Sequence, residues 1–207
     1  MIDTAKLTHE SVRLHLTGHE LLVIDTSVSH THGGNEYNKR REECEAALSA
    51  INESAGEAKY DSLSQLTPED FDNYEDLLPK KLVDRAKHVV TENERVKRAA
   101  DSFREGNVER AGKLFYASHS SLRDLYEVSS VELDFLVDFA RKEGIPGARM
   151  TGGGFGGSTI HLVPEDRVEA YSSAANREFR SEFGVGPKCF RVQASNGAKI
   201  EPVPGED

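Results

Sequence analysis

Residues 150–163 read M-T-G-G-G-F-G-G-S-T-I-H-L-V, in which five glycines fill six positions just before a strand-like run. Glycine loses more conformational freedom on folding than any other residue, so this density predicts that something must come close to the backbone. The following residues, S-T-I-H-L-V at 158–163, favour a strand rather than a helix. The stretch therefore predicts two strands joined by a glycine loop.

Three familiar phosphate-binding loops fit this stretch poorly. Gly152, Gly154 and Gly157 satisfy the G-x-G-x-x-G pattern, but a dinucleotide site needs a helix directly after it. A Walker loop needs a lysine where Gly157 stands, and no other protein-kinase motif occurs in the chain. Two interpretations stay open on the residues alone: a flexible hairpin that binds nothing, or bare N–H groups that face an anion or a substrate.

Composition excludes several classes of protein. The 207 residues are 37% hydrophobic and 30% charged, which is typical of a globular domain, and the net charge of −10 argues against a nucleic-acid partner. The basic cluster Lys39–Arg41 is followed by Glu42 and Glu43, which favours a solvated helix face. No apolar run is long enough to cross a membrane, and Cys44 and Cys189 are expected to be free thiols, so we expect a cytoplasmic protein.

The pattern along the chain predicts an α+β fold, an antiparallel sheet with helices packed on it. Residues 12–16 alternate strictly and precede the β-branched run 21–25, which indicates a hairpin. Asn35 is predicted to cap the helix that follows. We divide the chain into four parts: a hairpin and loop that complete a shared sheet (1–33), a helical layer (34–146), the glycine-loop hairpin with a helix and a final strand (147–195), and a tail (196–207).

The glycine loop and its neighbours resemble the third signature motif of the GHMP small-molecule kinases, and further segments narrow the resemblance to the galactokinase family. These segments occur in family order along the whole chain. They are V-I-D-T-S-V-S-H (23–30), N-E-Y-N-K-R-R-E-E-C (35–44), H-V-V-T-E-N-E-R-V (88–96), S-H-S-S-L-R-D-L-Y-E-V-S (118–129), E-L-D (132–134) and G-A-R-M-T-G-G-G-F-G-G (147–157).

The resemblance implies a GHMP kinase C-terminal (ferredoxin-like) domain and a reaction in which ATP and Mg²⁺ phosphorylate galactose at its anomeric hydroxyl. It covers only the C-terminal half of such an enzyme, because the first family motif and the P-x-x-x-G-L-S-S-S nucleotide loop have no counterpart here. We therefore expect this chain to be inactive without the N-terminal half, to bind neither ATP nor Mg²⁺ tightly alone, and to expose an apolar patch.

The resemblance also implies which residues of this chain face the substrates. Tyr37, in N-E-Y-N, is expected to contact the sugar, while no catalytic residue and no metal ligand is expected in the chain. The loop is expected to line the site near the sugar and the transferred phosphate through Gly152, Gly153, Gly154, Phe155, Gly156 and Gly157, with Phe155 packing the loop down. The alternative is a regulatory or interaction module that binds galactose and ATP without kinase activity.

Three other groups of residues invite a chemical role and favour a structural one. His30 and His32, with Glu36, lack a fourth ligand for zinc. His88, Glu92 and Arg95 share a helical face, where an ion-paired structural role is expected. The stretch Ser118–Ser120 cannot form a catalytic relay, because adjacent side chains of a helix point apart.

Overall fold

A four-stranded antiparallel sheet forms the centre of the computed structural model, which describes residues 1–3, 6–29 and 33–195. A two-residue pair, β1 (Ile2–Asp3) with β2 (Thr8–His9), precedes it along the chain. The main strands are β3 (His19–Ser29), β4 (Gly147–Thr151), β5 (Gly156–Pro164) and β6 (Lys188–Val192). They lie in the order β4-β5-β3-β6 with every neighbouring pair antiparallel, which confirms the predicted α+β class.

The helices start and end close to where the capping residues predict. The Thr67 side chain accepts a hydrogen bond from the Asp70 N–H, and the Asp70 carboxylate accepts one from the Thr67 N–H, so this short helix has a complete capping box. Ser130 caps the helix Val131–Lys142 by accepting a hydrogen bond from the Leu133 N–H. The α-helices of the described residues are α1 (Gly33–Ala55), α2 (Pro68–Asp72), α3 (Lys80–Arg104), α4 (Val108–Asp124), α5 (Val131–Lys142) and α6 (Val168–Phe183).

One face of the main sheet packs against α5 and α6. Leu22 and Ile24 of β3 point to this face together with Ala148 of β4 and Val163 of β5, because side chains two apart in a strand share a face. Burying each large apolar side chain stabilises the fold by roughly 1.5–3 kcal/mol. The helix partners on this face are Leu136, Val137, Phe139 and Ala140 of α5 and Val168, Tyr171, Ala175 and Phe179 of α6.

The other face of the sheet meets the end of α3 and the start of α4. Leu21 and Leu162 pack there against Phe103, Val108 and Ala111. Helix α4 also crosses β4 at a contact without side chains, where Gly112 lies against Gly147. A Cβ built at Gly147 would lie 2.2 Å from the Cα of Gly112, so the two backbones touch.

The predicted N-terminal hairpin is wrong, because residues 12–16 do not form a strand. Their alternation has another cause: Val12, Leu14 and Leu16 pack against the cluster around Phe103, and the His15 N–H donates to the Phe103 carbonyl. An extended segment that lies on helices alternates in the same way as a strand of a sheet. β3 instead pairs with β5 and β6.

The predicted helix cap at Asn35 is also wrong, since α1 begins at Gly33 and contains Asn35. Residues 30–32, with His30 and His32, and the predicted tail 196–207 lie outside the described residues. No helix in the described part of the chain combines the length and the apolar character that crossing a bilayer requires.

Candidate functional site

The glycine loop, residues 152–157, is the turn of the hairpin between β4 and β5. The angle φ is +83° at Gly152, +88° at Gly154, +117° at Gly156 and +91° at Gly157. Side chains of L residues rarely adopt this region, so the backbone conformation itself requires glycine at these positions. The chain enters β5 at Gly156, and the absence of a helix directly after the loop excludes the dinucleotide and Walker geometries.

The loop lines an open cavity of about 520 Å³. A Cβ built at Gly152 or at Gly157 would meet nothing within 4 Å, so at both positions the bare backbone borders open space. Consecutive backbone N–H groups exposed in this way can donate to an anion. The cavity is lined by Val28, Thr151, Gly152, Gly153, Gly154, Phe155, Gly156, Gly157 and Ser158.

Gly154 differs from its neighbours, because it is packed rather than exposed. A Cβ at this position would lie 2.1 Å from the Val128 carbonyl oxygen. The same oxygen accepts a hydrogen bond of 2.7 Å from the Phe155 N–H. The Phe155 ring packs on the buried cluster that contains Leu122, Val128, Leu133 and Met150, so it holds the loop down as the sequence predicted.

Tyr37 lies next to the exposed part of the loop. It stands in the first turns of α1 with 57% of its surface exposed, and a Cβ built at Gly153 would lie 3.8 Å from Tyr37 Cδ2. A tyrosine offers an apolar ring and a hydroxyl that can both donate and accept. The structure thus brings together the predicted sugar contact and the predicted loop. On the other side of Tyr37 lies a second groove, of about 360 Å³, bordered by Cys44, Leu48 and Tyr126.

Thr26 supports the loop from the neighbouring strand, which the sequence analysis missed. Its Oγ1 donates to the Gly157 carbonyl over 2.9 Å and accepts from the Val28 N–H over 3.3 Å. The register of β3 with β5 shifts between Asp25 and Ser29, and Ser27 has a positive φ of 58°. Such a bulge bends the strand and turns a side chain to a new direction. Within V-I-D-T-S-V-S-H, no pattern of polarity marks it.

His119 fixes the strand that leads into the loop. Its Nδ1 accepts a hydrogen bond of 3.2 Å from the Met150 N–H, so the ring proton is on Nε2, which lies 3.1 Å from Asp134 Oδ1. Ser129 Oγ donates to the same carboxylate oxygen over 2.6 Å. Burial alone would raise the pKa of Asp134, but the hydrogen bonds from His119 and Ser129 lower it. This buried series of hydrogen bonds satisfies the Met150 N–H of β4, an outermost strand of the sheet.

The three side chains of Ser118–Ser120 have separate partners, as predicted. Ser118 donates to Glu92, His119 joins Asp134, and Ser120 lies 3.5 Å from the Arg141 guanidinium. They form no relay.

The predicted ion pair of α3 is confirmed for Glu92 and Arg95, whose charged atoms lie 2.5 Å apart. His88 is not part of it, because its ring stacks on Tyr126 at 4.4 Å between centroids and its Nδ1 lies 2.9 Å from Ser121 Oγ.

The interpretation of Lys39–Arg41 as a solvated face is wrong for its middle residue. Arg40 is only 6% exposed and binds carbonyl groups between α4 and α5. Consecutive residues of a helix point about 100° apart, so one residue of a charged triplet can face inward while the others stay in water. Arg41 does stay outside, paired with Glu45.

A family model described as GHMP kinases C terminal matches residues 99–181. This range covers the end of α3, all of α4 and α5, the glycine-loop hairpin and most of α6.

Curated relatives are galactokinases. That of Thermotoga petrophila is 40% identical over 199 residues, which are 96% of this chain and 54% of the relative. That of Thermosipho africanus is 42% identical over 197 residues, 95% of this chain and 53% of the relative. The chain thus spans about half the length of the curated relatives it matches.

Solved structures agree with this likeness. The Lactococcus lactis galactokinase complexed with galactose is 36% identical and superimposes with a TM-score of 0.88, over 95% of this chain and 50% of that one. A mevalonate kinase of L. major in complex with R-mevalonate is 20% identical with a TM-score of 0.53, over 86% of this chain and 44% of that one, and supports the fold alone.

Proposed function

We propose that this chain, which carries a GHMP kinase C-terminal domain and resembles galactokinases along nearly its whole length, is part of an enzyme that phosphorylates galactose at its anomeric hydroxyl with ATP and Mg²⁺. The observation that carries the proposal is the meeting of Tyr37 with Gly153 at the rim of an open cavity. A side chain suited to a sugar and a backbone suited to a phosphate lie side by side there.

Tyr37 and the glycine loop would have different tasks. The Tyr37 ring would pack on the apolar face of the sugar, and its hydroxyl would hydrogen-bond a sugar hydroxyl. The backbone N–H groups around Gly152, Gly153 and Gly157 would donate to the phosphoryl group, because no Cβ at these positions keeps it away. Phosphoryl transfer depends mostly on such positioning and on charge stabilisation.

The chain would supply only part of this site. None of the described residues that line the cavity is acidic or basic, so the lining offers no carboxylate for Mg²⁺ and no cation to neutralise the transferred phosphate. We propose that ATP and the metal are held by the polypeptide that makes up the other half of a galactokinase, and that this chain alone neither binds them tightly nor catalyses the reaction.

An apolar row on the sheet supports a contact with further polypeptide. Val23 pairs with Ile160 on one side and with Phe190 on the other, so the three side chains share one face. Phe190 is exposed, and the other two are half-buried. Contiguous exposed apolar surface of this kind is typical of an interface.

The test compares this chain with the polypeptide of the complete reading frame that encodes it. We expect galactose-dependent ADP release only from the complete polypeptide, and we expect Tyr37→Phe to weaken it mainly by raising the galactose KM. Tyr60→Phe is a matched control, since the buried Tyr60 hydroxyl has no hydrogen-bond partner among the described residues and Tyr60 packs in a cluster that contains no residue of the glycine loop. Binding of galactose and ATP without ADP release would instead identify a sugar-responsive regulator.

A further inference from the structure

The connection between α4 and α5, residues 125–130, is held by two buried arginines. Arg85 donates to the Leu125 carbonyl. Arg40 donates from Nε to the Tyr126 carbonyl over 2.6 Å and from its second terminal nitrogen to the Glu127 carbonyl over 3.0 Å. We call residues 125–130 the platform. Three consecutive carbonyls of the platform are therefore bound by guanidinium groups from other helices.

The platform in turn seats the glycine loop. Its Val128 carbonyl accepts the Phe155 N–H and lies where a side chain at Gly154 would be. Its Ser129 hydroxyl binds Asp134, which holds His119 against the Met150 N–H just before the loop. Phe155 of the loop is thus hydrogen-bonded directly to the platform, and Met150, two residues before the loop, is linked to it through Asp134 and His119.

Arg40 belongs to the helix that carries Tyr37. It follows Tyr37 by three residues in α1, so less than one helical turn of rigid backbone separates the phenol from the guanidinium. The Arg40 side chain therefore connects the helix that carries Tyr37 to the platform that supports the glycine loop.

Glu43 joins the two arginines. Its Oε2 lies 3.3 Å from Arg40 and 2.6 Å from Arg85, and its Oε1 lies 2.6 Å from Lys81. Burial alone would raise the pKa of Glu43, but the hydrogen bonds from Lys81 and Arg85 and the charge of Arg40 lower it to about 2. The carboxylate stays charged at neutral pH and holds both guanidinium groups in one orientation.

Buried ion pairs add little net stability, since removing the charges from water costs about as much as the pairing returns. What they can provide is geometry, and a planar guanidinium that binds two adjacent carbonyls fixes both distance and angle, as a lysine cannot. We propose that Arg40, oriented by Glu43 and backed by Arg85, is a positioning residue that sets the distance between Tyr37 and the glycine loop. We call the contacts of Arg40 with the platform the clamp. The importance of the clamp for catalysis rests on the proposed function, whereas its existence does not.

Amide hydrogen exchange on this chain tests the clamp without any substrate. In Arg40→Lys, we expect the Phe155 amide to exchange about tenfold faster or more, because the Val128 carbonyl is no longer held in place. The amides of Leu22 and Ile24 in the central strand should exchange as before. Arg41→Lys, one position further along the helix and in water, is the matched control and should change neither set.

Two results would overturn the clamp: a Phe155 amide that exchanges at its original rate, or one that accelerates only in step with Leu22 and Ile24, which would indicate a general loss of stability. If Arg40→Lys does not fold, Arg40→Gln is judged by the same three amides, since it keeps a donor for one carbonyl and loses the fork.

The link to catalysis is tested in the complete polypeptide. Because Tyr37 and the loop would be misplaced relative to each other, we expect Arg40→Lys to lower kcat more than it raises the galactose KM, and Arg41→Lys to change neither. An unchanged kcat would overturn the positioning role. If the unmodified polypeptide releases no ADP with galactose, the proposed function fails, while the exchange measurement still decides whether the clamp exists.

Discussion

Glycines serve opposite purposes in two regions of this molecule. Where α4 crosses β4, Gly112 and Gly147 let two backbones touch, and a Cβ at either would lie within 2.2 Å of the other segment. At the tip of the β4–β5 hairpin, Gly152 and Gly157 leave the backbone open to a cavity, and a Cβ there would meet nothing. The first pair makes the fold possible, whereas the second leaves room for a ligand.

The largest effect is expected at the crossing. Gly147→Ala should destabilise the chain by at least about 3 kcal/mol, because overpacking a backbone contact cannot be relieved by turning a side chain. Urea unfolding followed by circular dichroism measures the loss. Gly144→Ala is the control, since it has a positive φ and open surroundings and should cost about 1 kcal/mol. Equal losses for the two variants would contradict the close contact.

The second-largest loss of stability is expected within the loop, where Gly154 and Gly152 should respond differently to the same substitution. Gly154→Ala should cost about 2 kcal/mol, from its positive φ and from the Val128 carbonyl that occupies the place of the methyl group. Gly152→Ala has a similar φ without the obstacle, so it should cost about 1 kcal/mol. The difference between the two unfolding free energies isolates the contact with the platform. A Gly152→Ala variant less stable than Gly154→Ala would show that the loop packs differently.

Sequence reasoning predicted the hairpin and the proximity of Tyr37, but it treated the glycines of the loop alike. The number of glycines indicates that some group comes close to the loop backbone, but it does not indicate on which side of the loop that group lies. Gly154 is packed because Val128 comes from a segment 26 residues earlier in the chain, and no local pattern encodes that approach. The division into packed and open glycines is a tertiary property.

The predictions made from the alternation of residues 12–16 and from the charged triplet around Arg40 were wrong for related reasons. Period-two alternation reports one buried face, and helices can bury that face as well as a second strand can. A charged residue is usually exposed, but Arg40 finds two carbonyls and a carboxylate that satisfy it inside. In both cases the sequence pattern correctly indicated a buried face or a charge. The residues that bury the face or bind the charge lie far away in the sequence, so the pattern could not identify them.

Acid should destabilise the chain through its buried histidines and not through the residues that line the loop cavity. Burial and nearby arginines lower the pKa of His88 to about 4, and burial lowers the pKa of His161 to about 3. The unfolded chain therefore takes up protons at these histidines as pH falls below about 6.5 while the folded chain does not, so stability is lost. From pH 7 to 5.5, each histidine should cost about 1 kcal/mol.

The measurement is the unfolding free energy against pH for the chain and for His88→Phe, which keeps a ring to stack on Tyr126. The variant should show a shallower dependence between pH 7 and 5.5. An unchanged slope would mean that the pKa of His88 is the same in the folded and the unfolded chain. The residues that line the loop cavity carry no carboxylate, imidazole or amino group, so they add nothing to this slope.

The smallest effect on stability, and the one that bears most directly on function, is expected at Gly153. It lacks the positive φ of its neighbours, and a Cβ there would touch Tyr37 at 3.8 Å, an ordinary contact, so Gly153→Ala should change the unfolding free energy by less than about 0.5 kcal/mol. The added methyl group would nevertheless stand between the phenol and the bare backbone. If the cavity binds galactose, the complete polypeptide with Gly153→Ala should lose galactose-dependent turnover while it unfolds like the unmodified one. Full turnover with that methyl group in place would mean that the substrate does not lie between Tyr37 and the loop.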